Sequence, residues 1–142
     1  MSESKEPRGF KKAWKQAEQA IDNNPRLQKL LERAIDKSKV SQKSLKGYWG
    51  DLQTLVRLVR AYVSGAYREV ALSTLLFALA GIIYFVNPFD LIPDFILGLG
   101  FIDDVSVLVY VLSKIKVEVD TFLKWEDQKP IEIDSIDEEE LS

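Results

Sequence analysis

The chain contains no cysteine and no histidine. Without thiols there can be no disulfide, no thiolate zinc site and no cysteine nucleophile. Without imidazole the usual general base near neutral pH and the commonest transition-metal ligand are missing, so serine triads are excluded. Any metal would be a hard cation held by carboxylate and carbonyl oxygens. Cations are also missing locally: residues 70–113 hold no Lys or Arg, and their only charges are Asp90, Asp94, Asp103 and Asp104. The N-terminal "MSESKEPRGFKKAWKQ" shows neither an apolar h-region nor a small-residue cleavage site, so a secretory signal is not expected and the basic half should stay in the cytoplasm.

What is present is polarised along the chain. Residues 1–69 carry 15 basic against 8 acidic residues, and residues 114–142 carry 4 basic against 10 acidic, which leaves a formal net charge of −3 overall. The 142 residues suit one domain, and 46% hydrophobic composition excludes a wholly disordered chain. Residues 1–9 and the acidic tail 127–142 have no core pattern and are expected to be disordered.

Between those ends the apolar residues recur at helical spacing. Phe10, Ala13, Trp14, Ala17 and Ile21 mark an amphipathic first helix with lysines opposite. "DNNPR" ends it, and Asn24 is expected to cap a second helix with Pro25 at its first position and Leu27, Leu30, Leu31, Ala34 and Ile35 as its stripe. "DKSKVSQKS" reads as a link. A third helix is expected over Leu45 to Val63, with Tyr48, Trp49, Leu52, Leu55, Val56, Val59, Tyr62 and Val63 on one side and a break at Ser64 and Gly65. Core packing is the ordinary reading of all three stripes. Lysines beside Phe and Trp also suit an anionic membrane surface.

"VALSTLLFALAGIIYFV", residues 70–86, is uncharged for 17 residues and apolar on every face. At 1.5 Å per residue it reaches roughly 25 Å, against ~30 Å for a bilayer's hydrocarbon core, so it stands at the lower limit for a transmembrane helix. The excess of basic residues before it fits the positive-inside rule, with the basic half on the cytoplasmic side. The central helix of a soluble bundle is the alternative. A last helix is expected from about Asp104 to Trp125, with Asp103 as its cap and Val105, Leu108, Leu112, Ile115, Val119 and Phe122 on its apolar side. "VSVLVYV" and "IKVEV" also alternate as strands do.

The segment between the two apolar helices, "NPFDLIPDFILGLGFIDD" (residues 87–104), raises the functional question. Pro88 and Pro93 restrict the backbone and Gly98 and Gly100 permit a tight reversal, so a compact turn is expected. Asp90 and Asp94 are four residues apart and would repel unless a cation or proton intervened. Three readings follow. The aspartates cap helices and pair with Arg57, Arg60 or Arg68. Alternatively, Asp90, Asp94, Asp103 and Asp104 hold Mg²⁺ or Ca²⁺, although the spacing is not that of an EF-hand. Last, a carboxylate pair does acid–base chemistry, but no nucleophile, phosphate loop or substrate pocket accompanies it, which argues against an enzyme and gives no small-molecule substrate. Nucleic-acid binding is not expected, since acidic residues dilute the basic half and no binding motif appears.

These residues resemble the YkvA-like family, a bacterial domain of unknown function. The resemblance rests on Tyr84, then Pro88, Asp90, Leu91, Ile92, Pro93, Asp94, Phe95 and Ile96, then Gly100, Asp103 and Asp104, and covers residues 67–115. Leu97 stands where the family has a third proline. The resemblance implies an all-helical membrane-associated domain, here residues 67–126 following the basic helices of residues 10–66, and supplies no agreed activity. Similar regions occur in the membrane part of some RING-type ubiquitin ligases, but a chain without Cys or His cannot form a RING. The combined expectation is an all-α bundle of about five helices around a very apolar hairpin, associated with membrane lipid and having a structural or protein-partner role. A soluble bundle with a metal-binding aspartate cluster is the alternative.

Overall fold

The structure is a computed structural model that describes residues 6, 9–40, 42–87 and 104–128. The regular elements of the described residues are all helices, with no strand among them. Five long helices, α1 (Phe10–Ala20), α2 (Asn24–Val40), α4 (Trp49–Ser64), α5 (Leu72–Val86) and α6 (Asp104–Gln128), form a small bundle; the short α3 (Gln42–Leu45) and a 3-10 turn (Lys46–Tyr48) join α2 to α4.

The helix ends follow from local chemistry. Asn23, one residue earlier than expected, caps α2: its Oδ1 accepts from the Arg26 N–H at 3.2 Å and its carbonyl from the Leu27 N–H at 2.9 Å. Pro25 has no N–H to cap, so the side chain one turn before Arg26 takes the role. Of the expected link 36–44, residues 36–40 continue α2 and residues 42–44 belong to α3; Ser38 is buried and its hydroxyl donates to the Ile35 carbonyl at 2.7 Å. α4 ends where expected. Gly65 adopts φ +87°, a left-handed value that costs a Cβ-bearing residue energy, and its N–H closes on the Tyr62 carbonyl at 3.1 Å.

α5 is the centre of the bundle. It packs against α1, α2, α4 and α6, and eleven of its residues are buried, from Thr74 to Phe85. A helix surrounded by other helices must be apolar on every face, just as one surrounded by lipid must be. It begins at Leu72, after extended Ala71, and its 15 residues reach about 22 Å. Among the described residues no helix is long and apolar enough to cross a membrane. The transmembrane expectation for residues 70–86 is not shown by the structure, in which residues 72–86 form a central bundle helix whose apolar sides have protein partners.

α6 lies beside α5, and Gly81 sets their separation: a Cβ built there would stand 3.0 Å from Val111 Cγ2. The α6 residues turned inward are Val107, Leu108, Tyr110, Val111, Ile115, Val119 and Phe122, whereas Val105 and Leu112 are only half-buried. α6 departs from helical dihedrals at Ile115 (φ −127°, ψ 21°), the first residue of the run that alternates like a strand. Its last residues, Asp127 and Gln128, are helical although the tail was expected to begin at 127; residues 129–142 lie outside the described residues.

Two aromatic clusters pin the ends of this core. Phe10 and Trp14 of α1 meet Phe77 of α5 and Tyr110 of α6, with T-shaped pairs at 5.0 Å (Phe10–Tyr110) and 4.9 Å (Trp14–Phe77). The Phe and Trp stripe of α1 is therefore core. At the other end Tyr67 packs on Phe122 at 5.1 Å and on Trp125 at 4.8 Å. Burial, and then the nearby Glu69 carboxylate, hold the Tyr67 phenol above its ordinary pKa of 10.0. The folded state thus keeps its proton more tightly than the unfolded chain. Stability from this group is intact below about pH 10 and falls as pH rises through the folded value. Melting temperatures from about pH 9 to 11 should decline more steeply in the wild type than in Tyr67→Phe; parallel curves would remove Tyr67 as the cause.

Candidate functional site

Pro88, Asp90, Pro93, Asp94, Gly98, Gly100 and Asp103 lie outside the described residues, as does the side chain of Asp104. The capping, metal and acid–base readings of these residues concern that segment. Among the described residues no group of three or more His, Cys, Asp or Glu is placed to hold a metal ion. What the structure does describe is the pair of points from which the segment departs and returns: Asn87 after α5, and the first turn of α6.

The C-terminal end of α5 is built from the backbone outward. A helix leaves its last four carbonyls without intrahelical donors and carries a partial negative charge there. Asn87 N–H takes the Ile83 carbonyl at 2.8 Å. Lys37, reaching across from α2, donates from Nζ to the Phe85 carbonyl at 2.6 Å and stands 4.9 Å from the Phe85 ring centroid. One turn earlier on α2, Arg33 Nη2 donates to Asn87 Oδ1 at 2.9 Å. Two cations of α2 therefore fix the point at which the aspartate segment leaves α5.

These cations belong to a row. Arg26, Lys29, Arg33 and Lys37 are spaced by three, four and four residues and run along one flank of the buried Leu27, Leu30, Leu31 and Ala34. Glu32 and Asp36 lie on the exposed face beside the row, three residues after Lys29 and Arg33 respectively. With Gln16 of α1 and Ile83 and Asn87 of α5, the first three cations of the row, Arg26, Lys29 and Arg33, line a cleft of about 440 Å³. Leu30 and Ile83 are buried at its base, while Arg26, Lys29 and Arg33 are exposed at its edge.

The arginines singled out from the sequence lie elsewhere. Arg57 makes a two-pronged ion pair with Glu126 of α6, Nε to Oε2 at 2.9 Å and Nη2 to Oε1 at 3.1 Å. Arg68 lies over the Tyr62 ring at 4.6 Å, and Arg60 is exposed beside Trp125 and Glu126. All three stand at the end of the bundle where α5 begins, about one α5 length from the point where the aspartate segment starts. The α2 row, not identified from the sequence, was legible there as an i, i+3, i+7, i+11 series beside the leucines.

Lys37→Met keeps the aliphatic stem and removes the donor. Leaving the Phe85 carbonyl unmatched in a part-buried place should cost about 1–2 kcal/mol. A urea midpoint equal to that of the wild type would show that water replaces the ammonium.

Comparison with known proteins places this geometry in a family context. The family model described as "Protein of unknown function (DUF1232)" matches residues 74–110, which run from α5 into α6. The chain is 38% identical over 96 residues to the "Uncharacterized membrane protein YkvA" of Bacillus subtilis (strain 168), an alignment covering 68% of this chain and 91% of that protein. No solved structure matches.

Proposed function

The chain belongs to the YkvA-like, DUF1232 family, and from that premise we propose that it is a helical protein of the membrane surface with a structural or partner-binding role. The observation that carries this reading is the division of α1 and α2. Their apolar sides are buried in the core, while Lys11, Lys12 and Lys15 of α1 and Arg26, Lys29 and Arg33 of α2 are exposed. Clustered exposed cations favour the anionic cytoplasmic leaflet at about 1 kcal/mol each. The name of the Bacillus subtilis relative, a membrane protein, supports the same reading. Since α5 is enclosed by four helices, the association is one of lying on the bilayer, with the bundle intact.

Fractionation of the full-length protein in its host tests this. It should sediment with membranes at low salt and be released by high salt or carbonate, because screening weakens surface electrostatics. Retention until detergent is added would mean that α5 leaves the bundle and inserts. Recovery in the soluble fraction at low salt would overturn membrane association.

A further inference from the structure

We propose that the cleft between α2 and the C-terminal end of α5 binds the phosphate headgroup of an anionic phospholipid, an inference that rests on the membrane-surface reading above. The cleft holds more cationic donors than the fold uses: among the described residues the side chains of Arg26 and Lys29 make no hydrogen bond or ion pair, and Arg33 spends one nitrogen on Asn87. Lys37 answers the C-terminal carbonyls of α5, yet Arg26, Lys29 and Arg33 continue the row, and no carboxylate among the described residues pairs with them. Like charges set three and four residues apart on one helix face repel. Glu32 and Asp36 stand on the same helix, but neither is within ion-pair distance of these three cations, and three exposed cations facing one cleft are complementary to an anion.

The details favour a phosphate group. Asn87 takes one guanidinium nitrogen of Arg33 at 2.9 Å, which orients the fork and leaves its remaining N–H donors for a second acceptor. Lys29, one turn before Arg33, adds a compact charge, and Arg26 a third. The Gln16 amide stands on the α1 side of the same space. Beneath the cations the base is apolar, with Leu30 7% and Ile83 2% exposed. A cationic edge over an apolar floor suits an amphiphile, whose phosphate meets the edge while its glycerol and upper acyl carbons cover Leu30 and Ile83. About 440 Å³ falls within the range of small-ligand sites.

The test is co-sedimentation of the full-length protein with vesicles of phosphatidylcholine alone and of phosphatidylcholine with phosphatidylglycerol. Wild type is compared with Lys29→Gln/Arg33→Gln and with Arg60→Gln/Lys124→Gln, which makes the same charge change at the other end of the bundle. The wild type should bind only the anionic vesicles. The cleft variant should bind about thirtyfold more weakly, taking about a factor of five for each basic residue at an anionic surface, and the distal variant should match the wild type. Equal weakening by both variants means diffuse attraction and overturns the cleft. Titration with inorganic phosphate separates the source: binding that is lost in the cleft variant, with no binding to vesicles, makes this a soluble-phosphate site and overturns the lipid. Host fractionation keeps the two readings apart. If wild type and cleft variant sediment equally with host membranes, surface association stands and the cleft proposal falls. All four substituted side chains are exposed, so unchanged melting curves confirm that folding is intact.

Discussion

Replacing Gly81 with valine should lower stability by about 2–3 kcal/mol, roughly a 10 °C fall in melting temperature for a chain of this size. The first added carbon already meets Val111 Cγ2 at 3.0 Å, and both partners are enclosed, Val111 at 0% exposure. Val111 has little room to yield, since a β-branched side chain on a helix is held near one χ1 rotamer. α5 and α6 would have to separate, and dense cores respond to that with strain over several side chains. Gly81→Ala is a more balanced case. Alanine gains about 1 kcal/mol in helix propensity over glycine, which offsets most of a single tight methyl contact. The decisive comparison is the valine substitution in a Val111→Ala background. If the α5–α6 approach is the cause, the two changes should be much less harmful together than their sum, as expected for residues in direct contact. Additive losses would place the cost elsewhere.

Phe122→Ala should be costlier still, at about 3–5 kcal/mol. Its ring is fully buried and touches Tyr67 at 5.1 Å and Trp125 at 5.7 Å. Removing it opens a cavity bounded by two large rings that cannot both move in, and also forfeits the edge and stacked contacts between them. Typical domain stability is about 5–15 kcal/mol, so such a loss brings the bundle near its unfolding threshold. The effect should appear in denaturant unfolding as a lowered midpoint. A change below about 1 kcal/mol would mean that the C-terminal part of α6 is weakly coupled to the rest.

Sequence periodicity was a good guide where one helix face is wet. The stripes of α1 and α4 pack on the core, because alternation between solvent and protein leaves a 3.6-residue signature. Even so, Trp14, Ile21, Tyr48, Trp49, Tyr62 and Val63 are half-buried, and the fully buried Ala20 and Leu58 were not read as part of them. α5 has no wet face, and a helix wrapped in protein then looks like one wrapped in lipid. Its 15 residues and its partners, not its composition, separate the two cases. The shift of the α2 cap from Asn24 to Asn23 was hidden because either asparagine has the required oxygen. Arg57, Arg60 and Arg68, the arginines closest in sequence to the apolar helix, were the expected partners of aspartates whose side chains lie outside the described residues. At Asn87, the last described residue before those aspartates, tertiary folding brings in α2, with Arg33 54 positions away. Sequence distance is a poor guide to such pairs, since α1 and α2 fold back over α5.

The aromatic cluster that locks α1 in place joins Phe10 to Tyr110, two residues a hundred positions apart. At a synthesis rate of about 5–20 residues per second, the first helix leaves the ribosome several seconds or more before its partner on α6 exists. Closing a loop of that length is slow compared with forming a helix turn. The growing chain therefore presents an unburied Phe and Trp stripe flanked by Lys11, Lys12 and Lys15 while the rest is still being made. In that interval a nascent α1 has the two properties by which an amphipathic helix settles on an anionic bilayer. The bundle's own topology thus gives the chain an early opportunity to meet a membrane before the core withdraws those side chains.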